Sequence, residues 1–183
     1  MSIKDTINKR RAYRALEPVN ISDAVIEELA ELAGLAPSCF NKQPWRFIFI
    51  TEPDILRQIH QNLSKGNEWA TPARLAVAVT SKKELDCVVR DREYYLFDTG
   101  MASAFLILRA TELGLVAHPI AGFDEDQTKR ILRIPEDMTL ITLIFVAKHN
   151  PQKDELLSEK QRLSDTNRPP RRPLQEIFKK NSF

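Results

Sequence analysis

The sequence predicts an α+β fold, with helices covering a small sheet. Three observations lead there. Helical and strand-type apolar periodicities alternate irregularly along the 183 residues. No repeat and no linker divides the chain, so one unit, 1–183, is expected. The two most apolar runs, Leu75 to Thr80 and Leu140 to Ala147, are short and bounded by polar or turn residues, as buried strands are.

The first helix is expected just after Ser2, because Ser2 with Asp5 three residues on forms a capping-box pattern and Ile3 and Ile7 share one stripe. It runs into the basic stretch Arg10-Arg11-Ala12-Tyr13-Arg14 and breaks at Glu17-Pro18. Ser22 is a favoured N-cap for a second helix, with Val25, Leu29, Leu32, Ala33 and Ala36 on its buried face and Pro37 stopping it. After a polar loop, Trp45 to Thr51 is rich in aromatic and β-branched residues and reads as a strand. Pro53 suits the first turn of a third helix bearing Ile55, Leu56, Ile59 and Leu63.

The longest helix is expected from about Arg92 to Leu113, with Gly114 ending it. Its small middle, Gly100 to Ala104, would let another helix approach closely. Leu115 to Ala121 reads as a strand that Pro119 restricts to an edge. Asp124 with Gln127 starts a short helix carrying Ile131 and Leu132. Leu140 to Ala147 reads as a strand buried on both faces. From Pro151 to Phe183 the chain is polar and Pro-rich until Leu174, Ile177 and Phe178, which reads as an arm needing another surface to pack on.

Composition limits the class. Hydrophobic content of 43% and charged content of 28% fit a soluble protein, and about 70% of the unfolded surface should be buried at this length. Eleven prolines against five glycines favour stiff connections. A net charge of +2 is too small to argue for nucleic acid. Cys39 and Cys87 lie in no metal-type spacing and read as two unpaired thiols, which suits a reducing cytoplasm. The charged start lacks the apolar core of a signal peptide, and no run approaches the roughly 20 residues of a membrane span.

Several chemistries lack sequence support. There is no Gly-x-Gly-x-x-Gly, no phosphate-binding lysine loop and no nucleophile elbow. His60, His118 and His149 are far apart, and His60 reads as a surface or interface residue. Acidic residues occur singly, so neither a metal cage nor a carboxylate pair is indicated. What remains is anion binding. Arg10, Arg11 and Arg14 near one terminus, with Arg168, Arg171 and Arg172 near the other, could grip a phosphate through guanidinium forks. The loop Pro37-Ser38-Cys39 with Asn41 is a second polar candidate.

These segments resemble, in order, the motifs of the nitroreductase family. Arg10 to Arg14 is similar to its Arg-Arg-Ser-x-Arg motif, and Ala36 to Phe47 to its Ala-Pro-Ser-x-x-Asn-x-Gln-Pro-Trp-x-Phe loop. Asn67-Glu68-Trp69, Asp98 to Ala102, Ala110 to Leu115, Pro119 to Asp124, Ile134 to Glu136 and Arg171 to Leu174 match further segments. The resemblance implies a central, mainly antiparallel sheet covered by helices in a domain-intertwined homodimer. The arm, about 151–183, would pack on the partner subunit. It implies one FMN per site at the subunit interface. Arg10, Arg11, Ala12 and Arg14 would bind the phosphate and pyrimidine edge. Pro37, Ser38, Cys39 and Asn41 would touch the flavin held mainly by the partner. Asn67 would reach the ring system, Pro119, Ile120, Ala121 and Gly122 would line it, and Arg171 or Arg172 would close on the phosphate.

The implied activity moves hydride from NADH or NADPH through flavin N5 to a small conjugated acceptor such as a nitroaromatic or quinone. It uses no catalytic side chain and no metal, with Arg14 as the cation beside the reduced flavin. Neither nucleic acid nor a membrane is an expected partner. The alternative is a non-enzymatic flavin-binding or storage protein on the same scaffold. Two departures stand out: Ala12 replaces the usual Ser, and Lys148-His149-Asn150-Pro151 replaces a Gly-Tyr-Pro. The short segment from Ser81 to Arg92 implies an open pocket.

Overall fold

The computed structural model describes residues 2–183; Met1, the first residue of the expected domain, lies outside them. The first half comprises α1 (Ile3–Lys9), β1 (Leu16–Glu17), α2 (Asp23–Gly34), β2 (Arg46–Ile50), α3 (Pro53–Gln61) and β3 (Leu75–Ser81). The second comprises β4 (Val88–Val89), β5 (Arg92–Glu93), α4 (Tyr95–Glu112), β6 (Val116–Ile120), α5 (Glu125–Leu132), β7 (Thr139–His149), α6 (Glu159–Thr166) and α7 (Leu174–Ile177). The fold is α+β with an antiparallel sheet, as the sequence predicts.

β7 is the hub. It pairs antiparallel with β3, with β6 and, through Lys148 and His149, with β1, while β2 extends the sheet beyond β3. Leu143, Phe145 and Ala147 point into one core with Leu16 and Trp69; Ile144 and Val146 point into the other with Leu29, Val77 and Leu106. Side chains alternate faces along a strand, so two cores require the unbroken apolar run seen in the sequence. Fully burying one such side chain stabilises by about 1.5–3 kcal/mol. β6 pairs with β7 alone, and this edge tolerates Pro119, which has no N–H to donate.

The caps follow the sequence. Ser2 and Asp5 form a complete capping box on α1, the Ser22 hydroxyl caps α2, and Asp124 accepts from the Gln127 N–H at α5. Other expectations change. Residues 88–93 form a hairpin, so α4 begins at Tyr95 rather than Arg92. Its turn holds Arg90 and Asp91 at φ 50° and 66°, the left-handed geometry that short hairpins require but that these residues do not advertise. Within the small middle of α4, Ala102 is fully buried and packs with Ala36, just past the end of α2, while Gly100 and Ala104 stay exposed. Ile3 and Ile7 are also exposed; on α1 it is Thr6 that is buried. His60 is half-buried, its Nε2 enclosed without a partner near the Phe145 ring, and burial lowers its pKa.

The C-terminal segment departs from expectation. Its first part packs on its own chain: Leu157 enters the core, and a Ser158–Gln161 capping box starts α6, which buries Asp165. Exposure is continuous only from Thr166 onward. Cys39 and Cys87, expected as unpaired thiols, form a disulfide with Cα atoms 6.1 Å apart. Forty-eight residues separate them in sequence, and only the folded chain brings their loops together.

His118 on β6 anchors the basic segment to the sheet. Its ring is buried against Trp69, and Nδ1 lies 2.9 Å from the Tyr13 carbonyl, an acceptor that requires the proton on Nδ1. Burial, outweighing this hydrogen bond, pushes its pKa down to about 4 from 6.5. The unfolded chain therefore binds a proton that the folded chain excludes. The stabilisation is complete above pH 6.5 and is lost as pH falls toward 4, by about 3 kcal/mol. Urea unfolding at pH 7 and pH 4.5 should show a smaller pH-dependent loss in His118→Asn, which keeps a donor for Tyr13 but does not titrate. An equal loss in both proteins would remove His118 as its source.

Candidate functional site

Arg10 follows directly on α1, its N–H donating to the Thr6 carbonyl, and the chain then runs extended to β1. Asp165 fixes this run. One oxygen of its buried carboxylate accepts the Arg14 N–H at 2.5 Å, and the other lies 3.0 Å from His149 Nε2. His149 in turn stacks on Tyr13, ring centroids 3.6 Å apart. The buried carboxylate is thus satisfied on both oxygens, as its burial demands.

Arg10, Arg11, Ala12, Arg14, Ser164, Arg168, Pro169 and Arg171 enclose a cavity of about 320 Å³ with no acidic side chain in its lining. Burial first, then repulsion from Arg171 and Arg168, lowers the Arg10 pKa. The guanidinium remains charged at any physiological pH. Like charges gathered without a counter-ion repel, and a bound anion reverses the sign of that interaction.

The arginines divide the work. Arg11 donates to the Ser164 and Asp165 carbonyls at 2.8 and 3.0 Å and lies over the Tyr13 ring, so it caps the end of α6. Arg168 donates to the Asn8 and Arg10 carbonyls, fastening the arm to the end of α1. The Arg14 guanidinium sits 5.6 Å from the Trp69 ring centroid. Arg172 lies outside the cavity, paired with Glu176 at 3.2 Å. Arg168 belongs to the basic terminus noted in the sequence but to no motif there. Asp165 carried no signal, and nothing in the sequence joined His149 to it, because Asp165 meets the Arg14 N–H and His149 the Tyr13 ring across more than 130 residues.

Two further groups stand outside this cavity in the single chain. Asn67 and Gly122 form the first: the Asn67 side-chain amide and the Ser64 N–H both donate to the Gly122 carbonyl at 3.0 Å. Asn67 thereby holds the loop Pro119, Ile120, Ala121, Gly122. A Cβ on Gly122 would stand 2.4 Å from Asn67 Nδ2, so any larger residue must displace the Asn67 amide from its hydrogen bond. The loop Pro37, Ser38, Cys39, Asn41 forms the second. The Ser38 hydroxyl accepts from the Gln43 N–H at 2.9 Å, and buried Asp98 accepts from the Cys39 N–H at 2.6 Å. Phe40, Asn41 and Gln43 all take positive φ, and the Phe40 ring is almost fully exposed.

Residues 7–147 match the Nitroreductase family. The chain belongs to that family. It is therefore a nitroreductase-family oxidoreductase. An Archaeoglobus fulgidus protein provisionally named NADH dehydrogenase/NAD(P)H nitroreductase is 26% identical over 152 residues, spanning 81% of this chain and 86% of its own. The fold is shared with a solved oxidoreductase containing FMN, at TM-score 0.85 and 22% identity over 100% of this chain and 93% of that one. It is shared also with the FMN complex of a provisionally named nitroreductase from Exiguobacterium sibiricum, at TM-score 0.79 and 22% identity over 99% and 98% of the two chains. No helix among the described residues is long and apolar enough to cross a membrane.

Gly122→Ala tests the close approach of the nitroreductase loops. The added methyl forces Asn67 or the 119–122 loop to shift, and denaturant unfolding should record a loss of about 1–3 kcal/mol. Adding Asn67→Ala, which removes the clashing amide, should cost less than the two single changes summed. Additive losses would show that the two residues do not act through this contact.

Proposed function

We propose that this oxidoreductase binds FMN and uses it to move hydride from NADH or NADPH to a small conjugated acceptor such as a nitroaromatic or quinone. The observation that carries the reading is the acid-free arginine cavity, which suits the phosphate of such a cofactor. FMN in two solved proteins of the same fold supports it. Arg10, Arg14 and Arg171 line the cavity, and their guanidinium groups are engaged by neither an acidic side chain nor a backbone carbonyl among the described residues. They would bind the phosphate by charge-assisted hydrogen bonds. Arg11 and Arg168, committed to backbone carbonyls, act by shaping the cavity, and Ala12 contributes backbone only.

Bound FMN supplies the chemistry of accepting and releasing hydride, and the chain supplies binding, orientation and exclusion of water. The loop Pro119 to Gly122, held by Asn67, is the surface assigned to the ring system. Arg14, whose guanidinium lies over the Trp69 ring, is assigned to the pyrimidine edge. No side chain is assigned a proton-transfer role.

The reading extends to a homodimer in which one subunit's loop Pro37, Ser38, Cys39 and Asn41 meets the other's cofactor. That loop lines no part of the arginine cavity within one chain. Exposed Ile3, Leu35 and Phe105 border an apolar groove of about 320 Å³ between α1, α2 and α4. Leu174, Ile177 and Phe178 on the arm are equally uncovered. The arm of a second copy, from about 167 on, is the proposed occupant of that groove.

The purified protein should be yellow, with a visible flavin spectrum. NADH or NADPH should bleach it in stopped-flow absorbance faster than it bleaches free FMN; binding without that acceleration would leave a storage protein. Arg14→Ala and Arg171→Ala should each weaken FMN binding about 10- to 100-fold, the equivalent of about 1.5–3 kcal/mol for a hydrogen bond to a charged group. Arg172→Ala should leave it unchanged, and equal losses in all three would refute the cavity as the phosphate site. Replacing Leu174, Ile177 and Phe178 together by Asp should convert dimer to monomer in sedimentation velocity. A dimer that survives the triple change would place the interface elsewhere.

A further inference from the structure

We propose that the Cys39–Cys87 bond is a reversible redox clip: closed, it fixes the loop 38–43 against the β4–β5 hairpin, and a dithiol reductant opens it. The two sulfurs belong to segments with little else joining them. Cys39 lies in the strained loop after α2, and Cys87 immediately precedes β4. Among the described residues the hairpin pairs only with itself, and its two-residue strands leave Val88 and Val89 exposed. Ribbons of that size are marginal alone. On the loop side, Phe40, Asn41 and Gln43 each hold a left-handed backbone that disfavours non-glycine residues. The disulfide is the covalent tie between these two weakly held pieces.

The surroundings suit both states of the pair. Both cysteines are half-buried, open enough for attack by a thiol. Asp86 Oδ1 accepts the Cys87 N–H at 2.8 Å, while Asp86 Oδ2 is enclosed with no donor facing it. An Asp86 carboxylate oxygen lies within 4.8 Å of both sulfurs. Reduction places two S–H groups, weak donors, near that carboxylate. In the reaction the S–S bond breaks and an S–H bond forms on each cysteine. The reductant gives up two protons and two electrons and becomes a disulfide itself. Such a pair closes when its compartment turns oxidising and opens when reducing thiols return.

The test uses the full chain, oxidised with diamide or reduced with dithiothreitol, each form alkylated with iodoacetamide and mapped by mass spectrometry. The oxidised protein should yield the linked Cys39–Cys87 peptide and no alkylation. The reduced protein should yield two adducts, and reoxidation should restore the link. Limited trypsin digestion should cut after exposed Arg90 or Arg92 about tenfold faster in the reduced form, a local loss of about 1.4 kcal/mol. Cys87→Ser should match the reduced form whether or not oxidant is present. Two free thiols after diamide, a bond that survives dithiothreitol in the folded protein, or equal cleavage of both forms would overturn the clip. The inference goes beyond the flavin reading: a protein that refuses FMN would sink that reading and leave these outcomes unmoved.

Discussion

A strand buried on both faces and hydrogen-bonded to three others leaves little freedom to what is attached to its ends. β7 is that strand, and His149 is its last residue. His149 holds one oxygen of Asp165 while the other oxygen holds the Arg14 backbone. The rigidity of the sheet is thereby passed to the basic segment through a single carboxylate. Loss of either partner would leave a buried acceptor uncompensated, which costs far more than one surface contact. The position of α6 and the shape of the arginine cavity follow from this chain of contacts.

The cavity itself works against the fold. Arg10, Arg168 and Arg171 repel one another, and burial raises the cost for Arg10. Arg11 and Arg168 offset part of it by donating to carbonyls, Arg11 at the end of α6, where a helix carries partial negative charge. The remainder is an uncompensated cost that an anion in the cavity would relieve. The loops around Asn67 and Cys39 show the same pattern: a glycine where a methyl would displace the Asn67 amide, and three residues in left-handed backbone. Strain and uncompensated charge gather in the segments that resemble the family's motifs.

Much of this was legible in the residues. The capping pairs Ser2–Asp5 and Asp124–Gln127, Pro53 at a helix start and the runs of β3 and β7 are local signals, and local chemistry decides them. The hairpin at 88–93 was not legible, because Arg90 and Asp91 are not the residues that such a turn selects. α6 was missed for a different reason: its helix has a sound capping box but so few apolar residues that only its docking on Arg11 and Tyr13 explains it. Arg171 and Arg172 look equivalent in sequence. Only the fold turns one toward the cavity and pairs the other with Glu176.

The sequence alone determined the fold class, the family and the clustering of cations at both termini, since apolar period, capping chemistry and ordered motifs are properties of neighbouring residues. Tertiary structure decided which arginines face the cavity, that Asp165, His149 and His118 hold the basic segment in place, and that Cys39 meets Cys87. These are contacts between residues far apart in the chain. Their energies depend on burial and on the direction of a side chain, and neither exists before the chain has folded.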